Sequence, residues 1–140
     1  PEAILAIAAL ETGWGKHIMS ASPGESSYNL FGIKADPGWK NSRVFSRTLE
    51  FEDGIMKTKK EPFRTYHSAT ESVLDFANFI ASNPRYQAAI EHAEDPQRFI
   101  DEIHHAGYAT DPDYRQKVKS VMIKVSSIIK DTMMVADNKE

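Results

Sequence analysis

Apolar positions recur at helical spacing over most of this chain and alternate in one stretch only, and that contrast divides it. Ile4, Ile7 and Ala8 share one face of a helix predicted over residues 1–11, and Glu11, at i+7 from Ile4, falls on the same stripe. Gly13 and Gly15 end that helix. Residues 16–27 carry the serine, proline and glycine punctuation of a loop. From Arg43 to Tyr66 the pattern changes: Val44 to Phe51 and Ile55 to Tyr66 are rich in β-branched and aromatic residues and flank Glu52-Asp53-Gly54. A β-hairpin is expected there. Pro62 marks its second arm as an edge strand, so the β-lobe, about residues 43–66, should be small, exposed and mobile.

Helical spacing then returns. Ser68-Ala69-Thr70-Glu71 has the form of a capping box and opens a helix whose Val73, Phe76, Ala77 and Ile80 make an apolar face, up to Pro84. Asp75 lies off that face and reads first as a solvent-facing acid, with a cleft contact as the alternative. A short helix over Tyr86 to His92 is followed by one that Asp95-Pro96 caps and Gly107 stops beyond His105. After Asp111-Pro112, the residues Tyr114, Val118, Val121, Val125 and Ile128 form the seam of a long last helix. The polar tail, residues 131–140, is expected to be frayed and flexible. The pattern describes an α+β, mainly α, single domain over residues 1–130. Because the chain opens inside an apolar helix with no element to cover it, a piece trimmed from a longer protein is expected.

Composition changes this picture little: 140 residues with 41% hydrophobic and 26% charged are ordinary for one globular domain. A net charge of -3 leaves no basic footprint for nucleic acid, and Lys57-Thr58-Lys59-Lys60 reads as a solvated strand face. Without cysteine, neither disulfides nor thiolate chemistry is available. No apolar run approaches the ~20 residues of a membrane span. Of the histidines at 17, 67, 92, 104 and 105 only the last two are neighbours, on different helix faces, so neither a metal site nor a cofactor is expected.

Candidate chemistry starts at Glu11. A carboxyl aligned with a buried stripe is poorly solvated, and desolvation raises its pKa toward the range a general acid needs. The bland alternative is a helix-end charge. Ser27 to Lys34 mixes aromatics with an amide, so Tyr28, Asn29 and Phe31 suit a sugar-binding groove wall, and anchoring of a loop by buried aromatics has equal weight. Tyr66 joins them as a candidate substrate contact. Glu50 on the hairpin could complete a carboxylate pair if the hairpin folds over the cleft, although a solvated strand charge is the simpler reading. Tyr108, between a glycine stop and an aspartate cap, could reach substrate or Glu11, or wedge two helices apart.

Together Glu11-Thr12-Gly13-Trp14-Gly15, Tyr28-Asn29-Leu30-Phe31-Gly32-Ile33-Lys34, Phe63-Arg64-Thr65-Tyr66, Asn83-Pro84-Arg85-Tyr86 and Ala106-Gly107-Tyr108-Ala109-Thr110-Asp111 resemble glycoside hydrolase family 73 in order and approximate spacing. The resemblance covers most of the chain. It implies a lysozyme-like fold, a general acid at Glu11, a second carboxylate at Glu50 and Tyr108 beside the cleft. It implies cleavage of β-1,4 bonds in peptidoglycan glycan strands, most simply by an endo-β-N-acetylglucosaminidase. Within the family the chain is most similar to hydrolase domains of flagellar rod-assembly proteins, which implies a periplasmic setting and flagellar rod proteins as partners through a missing N-terminal region. Such domains carry a further helix before the segment that starts here at Pro1. Two other readings stay open at this point: a lytic transglycosylase on the same fold, and a non-catalytic glycan-binding or rod-assembly module. The sequence does not choose between Glu50 activating water and attack by the substrate's own N-acetyl group.

Overall fold

A computed structural model describes residues 2–138. Its elements, in chain order, are α1 (Glu2–Thr12), β1 (Ser20–Ser22), β2 (Glu25–Ser26), β3 (Arg43–Glu52), β4 (Ile55–Arg64), α2 (Ala69–Ser82), α3 (Gln87–Glu91), α4 (Pro96–His105) and α5 (Tyr114–Asn138), with a 3-10 turn at Pro84–Tyr86. The helices form one lobe and the long β3–β4 hairpin the other, so the fold is α+β and mainly helical.

The core follows from small residues meeting large ones. Ala3, Ala6 and Ile7 let α1 lie close against α5 and α4, whose Tyr114, Val118, Met122 and Val125, and Phe99, Ile100 and Ile103, are buried with them. From the other side α2 contributes Phe76 and Ile80, and Phe76 stacks on Phe31 with ring centroids 4.2 Å apart. The predicted stripes are therefore rotated in detail. On α2 the buried positions include Ser72 while Val73 and Ala77 are exposed. On α5, Met122 replaces Val121 at the centre of the seam and Ile128 is 54% exposed, because 3.6 residues per turn carries the contact line from 118 to 122 to 125.

Helix ends are made as expected, by side chains that satisfy orphan amides. Ser68 accepts from the Glu71 amide at 3.2 Å, Asp95 from those of Gln97 and Arg98, and Asp111 from that of Asp113 at 2.9 Å. The last helix continues past Asp131, where a frayed tail is expected, to Asn138; with neither glycine nor proline between Asp131 and Asn138, nothing local stops it. The small β1–β2 hairpin lies in the stretch read as loop, since paired segments of three and two small or polar residues are too short for alternation to reveal them.

In the β-lobe β3 and β4 pair antiparallel from Arg43↔Arg64 to Glu52↔Ile55. Asp53 and Gly54 close it with φ of 53° and 77°, the two positive values of a type I′ turn that matches strand twist. Its root is tied to the helical lobe by the Ala35 amide donating to the Pro62 carbonyl at 2.9 Å and the Arg64 amide to the Ile33 carbonyl at 3.1 Å. Arg64 then clamps the lobes. Its side chain reaches Asp75 on α2 at 2.9 Å, Asp36 at 3.3 Å and the Lys34 carbonyl at 3.1 Å, between the faces of Trp39 and Phe79. Asp75 is thus not the solvent-facing acid of the sequence reading. It is half-buried, bound also by the Tyr66 hydroxyl, and the reason is that β4 ends with a cation over this face of α2.

Removing one partner of a buried pair leaves the other uncompensated. Asp75→Ala should therefore lower the unfolding free energy by about 2–3 kcal/mol in denaturant titrations, Asp36 retaining part of the compensation. A solvent-facing acid would cost no more than about 0.5 kcal/mol, and that result would refute the clamp.

Candidate active site

Glu11 sits in the last turn of α1, and local chemistry stops the helix just beyond it. Thr12 donates its hydroxyl to the Ala8 carbonyl at 2.7 Å and accepts from the Gly15 amide at 2.9 Å, while Gly13 and Trp14 take φ of 56° and 60°. Glu11 is thereby presented at a groove of about 620 Å³ between the lobes, which Lys34, Thr48, Glu50, Tyr108, Thr110 and Tyr114 also line.

Solvent reaches Glu11 from the groove, so by area the residue is exposed, yet the carboxyl is crowded on its protein side. Burial of the carboxyl pushes its pKa up to about 7; the Tyr114 hydroxyl opposes the rise and the charge of Glu50 adds to it. Tyr114 faces this carboxyl from α5, but its hydroxyl is buried and meets no partner at hydrogen-bonding geometry. Gly32 explains the close fit: it has φ of 66°, and a methyl group there would lie 2.9 Å from Glu11 Oε2. Only glycine gives this loop both its turn and its room.

Glu50 comes from the inward face of β3 and is 9% exposed. The Lys34 ammonium binds Oε1 at 2.6 Å and the Thr110 hydroxyl donates to Oε2 at 2.9 Å. Thr110 is itself oriented by the Phe51 amide, which donates to it at 3.0 Å. Glu11 and Glu50 therefore line one groove in different company: Glu50 has a cation and a hydroxyl, Glu11 only an apolar wall and a buried tyrosine.

The other candidates divide. Asn29 is 2% exposed and fully engaged, its amide nitrogen donating to the Ile33 and Arg64 carbonyls at 2.9 Å each and its oxygen accepting from the Ile33 amide at 3.1 Å. Phe31, 1% exposed, belongs to the core. Neither can touch a ligand, because burial of this segment is what holds Gly32 beneath Glu11. Tyr28 is exposed at φ of 54° and lies outside the groove. Tyr66 lines a different and larger cavity of about 1170 Å³ beside Trp39 and Glu71, which contains neither carboxylate of the pair. Tyr108 does line the groove, but its hydroxyl donates to the Phe31 carbonyl, so it holds the loop rather than Glu11. Lys34, Thr110 and Tyr114 were not singled out for chemistry by the sequence: Tyr114 reads as a seam residue, and no spacing marks the other two. Among the described residues no cluster of histidine, aspartate or glutamate is suited to a metal ion, and no helix is long and apolar enough to cross a membrane.

A helical lobe with a carboxyl of raised pKa at a helix end, closed by a β-hairpin carrying a second carboxylate, is the architecture of a lysozyme-like glycoside hydrolase. Comparison with known proteins makes this specific. Residues 1–127 match the glucosaminidase family, described as mannosyl-glycoprotein endo-β-N-acetylglucosaminidase, and the chain belongs to that family. It is 44% identical over 128 residues to the peptidoglycan hydrolase FlgJ of Vibrio parahaemolyticus, covering 91% of this chain and 41% of that protein. The glycoside hydrolase domain of Salmonella typhimurium FlgJ matches with a TM-score of 0.77 and 34% identity over 99% of this chain and 82% of that one. A mutant peptidoglycan hydrolase from Sphingomonas sp. A1 matches at 0.76 and 37%, covering 86% and 77%. The chain thus spans about two-fifths of the length of the curated Vibrio relative.

Two outcomes check this geometry. Asn29→Ala should cost about 2–3 kcal/mol in thermal or chemical unfolding, since the Ile33 amide and the Arg64 carbonyl lose the Asn29 bond and the Ile33 carbonyl keeps only the Arg64 amide; an intact fold with only weakened substrate binding would restore the groove-wall reading. A carboxyl whose folded pKa is raised holds its proton while the unfolded chain ionises, so Glu11 should destabilise the protein progressively as pH climbs from about 4.5 to 7. Glu11→Gln should remove that decline, melting higher than the parent at pH 8 and close to it at pH 4; parallel melting curves across this range would show an ordinary carboxyl.

Proposed function

We propose that this domain hydrolyses β-1,4 glycosidic bonds of peptidoglycan glycan strands as an endo-β-N-acetylglucosaminidase, with Glu11 as general acid and Glu50 as the second carboxylate. One observation carries the reading: a carboxyl with its pKa raised to about 7 stands in an open interlobe groove that Glu50 also lines. A groove open to solvent suits a polymer threaded along it. Glu11 gives its proton to the departing glycosidic oxygen as the C1–O bond breaks, and Glu50, held by Lys34 and Thr110, balances the positive charge that builds on the ring. Water then adds to the anomeric carbon, its proton passing to a carboxylate so that Glu11 is restored for the next turnover, leaving N-acetylglucosamine at the new reducing end. The family's description supports the bond chosen, and the names of the Vibrio and Salmonella relatives support the substrate.

The same relatives support a periplasmic role in opening the wall for the flagellar rod. We infer that any contact with rod proteins is made by regions outside this domain, which covers 41% of the Vibrio relative.

The test is Glu11→Gln assayed on purified peptidoglycan. Loss of the proton donor should slow lysis by roughly 10²- to 10⁴-fold with little change in glycan affinity. In the parent, activity should fall as pH rises through about 7, because only protonated Glu11 is an acid. Near-parental lysis by a folded variant would end the assignment, and muramic acid at the new reducing ends would end the choice of bond.

A further inference from the structure

We propose that Tyr114 is the positioning residue of the acid: its buried hydroxyl, which no other group satisfies, donates to the Glu11 carboxylate as the proton leaves for the substrate. The inference rests on the reading of Glu11 as general acid and names the group that receives its charge.

Tyr114 is 3% exposed, and its hydroxyl is buried without a hydrogen-bond partner. Burying such a group unpaired costs free energy, so a hydroxyl kept there has a use in another state of the site. It faces Glu11, and both residues line the groove. A tyrosine hydroxyl can donate to a carboxylate, and a fixed donor ready where charge develops needs no reorganisation when the proton departs. Its ring is held in place: it packs between His104 and Tyr108 with centroids 6.0 Å from each, and its amide donates to the Asp111 carbonyl at 3.1 Å. Placement at the first residue of α5 fixes the phenol against the end of α1.

The charged groups that line the groove beside Glu11 are committed elsewhere. Glu50 from β3 repels it and is bound by Lys34 and Thr110. Asp111 and Lys117 pair with each other on the far rim, Asp36 is held by Arg64, and Arg85 is spent on the Ala106 carbonyl. The Tyr108 hydroxyl is given to Phe31, and Tyr86 lines the wall without a bond to Glu11. Among these only the Tyr114 hydroxyl is both buried without a partner and coupled to the acid.

The test compares Tyr114→Phe with the parent across pH. A donor to the carboxylate favours its charged form and lowers its pKa, so removing the hydroxyl should move the alkaline limb of the kcat profile upward by about half to one pH unit. We expect kcat to fall about ten-fold with KM unchanged and the melting temperature to hold or rise, since a buried unpaired hydroxyl is removed. An unmoved or lowered limb overturns the proposal, as does a shift produced by Tyr108→Phe instead. Independently of any variant at 114, the Tyr114 ζ-carbon resonance of the parent should titrate with the Glu11 carboxyl and cease to do so in Glu11→Gln; a flat response also overturns it. If Glu11→Gln lyses walls normally, the reading of the acid fails; if it is inactive while the limb stays fixed in Tyr114→Phe, only the role of Tyr114 fails.

Discussion

The rest of the structure hangs on one buried amide. Asn29 bridges the Ile33 backbone and the Arg64 carbonyl, so the short loop from 29 to 33 and the last residue of the hairpin are fixed by the same side chain. Three consequences follow from that one junction. Phe31 is driven into the core against Phe76, Gly32 is held in its left-handed turn under Glu11, and the Arg64 side chain is aimed at Asp75 across the lobes. A loop of this kind carries polar backbone that water would otherwise satisfy, and an asparagine, with both donor and acceptor, satisfies it internally. The loop beneath Glu11 and the hairpin that carries Glu50 are located by one set of hydrogen bonds rather than by two independent ones.

For Glu11 the decisive comparison is between desolvation and charge. Glu50 alone would give a modest effect, because it is compensated by Lys34 and because groove water screens it. Crowding by Gly32 and the wall of α5 acts directly on the ionised form and dominates. This ordering ties the acid's behaviour to packing: whatever widens the contact at Gly32 lets water in and returns the carboxyl toward 4.5.

Much of this was legible in the chain. The hairpin, the caps at Ser68, Asp95 and Asp111 and the helix ending at Glu11 all follow from local rules, since caps and turns are set by residues next to one another. Glu11 was readable as a candidate from its place on the buried stripe, whereas Glu50, more simply a solvated strand charge, became one through the family resemblance. The groove wall was not. Asn29 and Phe31 have the residue types of a sugar site, but the same types satisfy buried backbone and fill cores, and only the tertiary fold decides which use is made of them. Asp75 was misread likewise, because the Arg64 that engages it approaches from another element. Lys34 and Thr110 meet Glu50 across 16 and 60 residues, a separation no periodicity reports.

What separates the two carboxylates is therefore their neighbours rather than their type. Acid chemistry near neutral pH needs one carboxyl that keeps its proton and one that carries charge, and identical side chains reach those states only in unlike surroundings. Here the surroundings differ: Lys34 and Thr110 converge on Glu50, whereas Glu11 has Gly32 and Tyr114 beside it. Thr110 gives that division a mechanical side. It takes the Phe51 amide with one lone pair and directs its proton to Glu50, so the loop that follows α4 sets the orientation of a group on β3. The hairpin cannot swing away from the helical lobe without breaking these bonds, and a carboxylate released in that way would lose the ammonium and the hydroxyl that distinguish it from Glu11. Closure of the lobes and differentiation of the pair are one event.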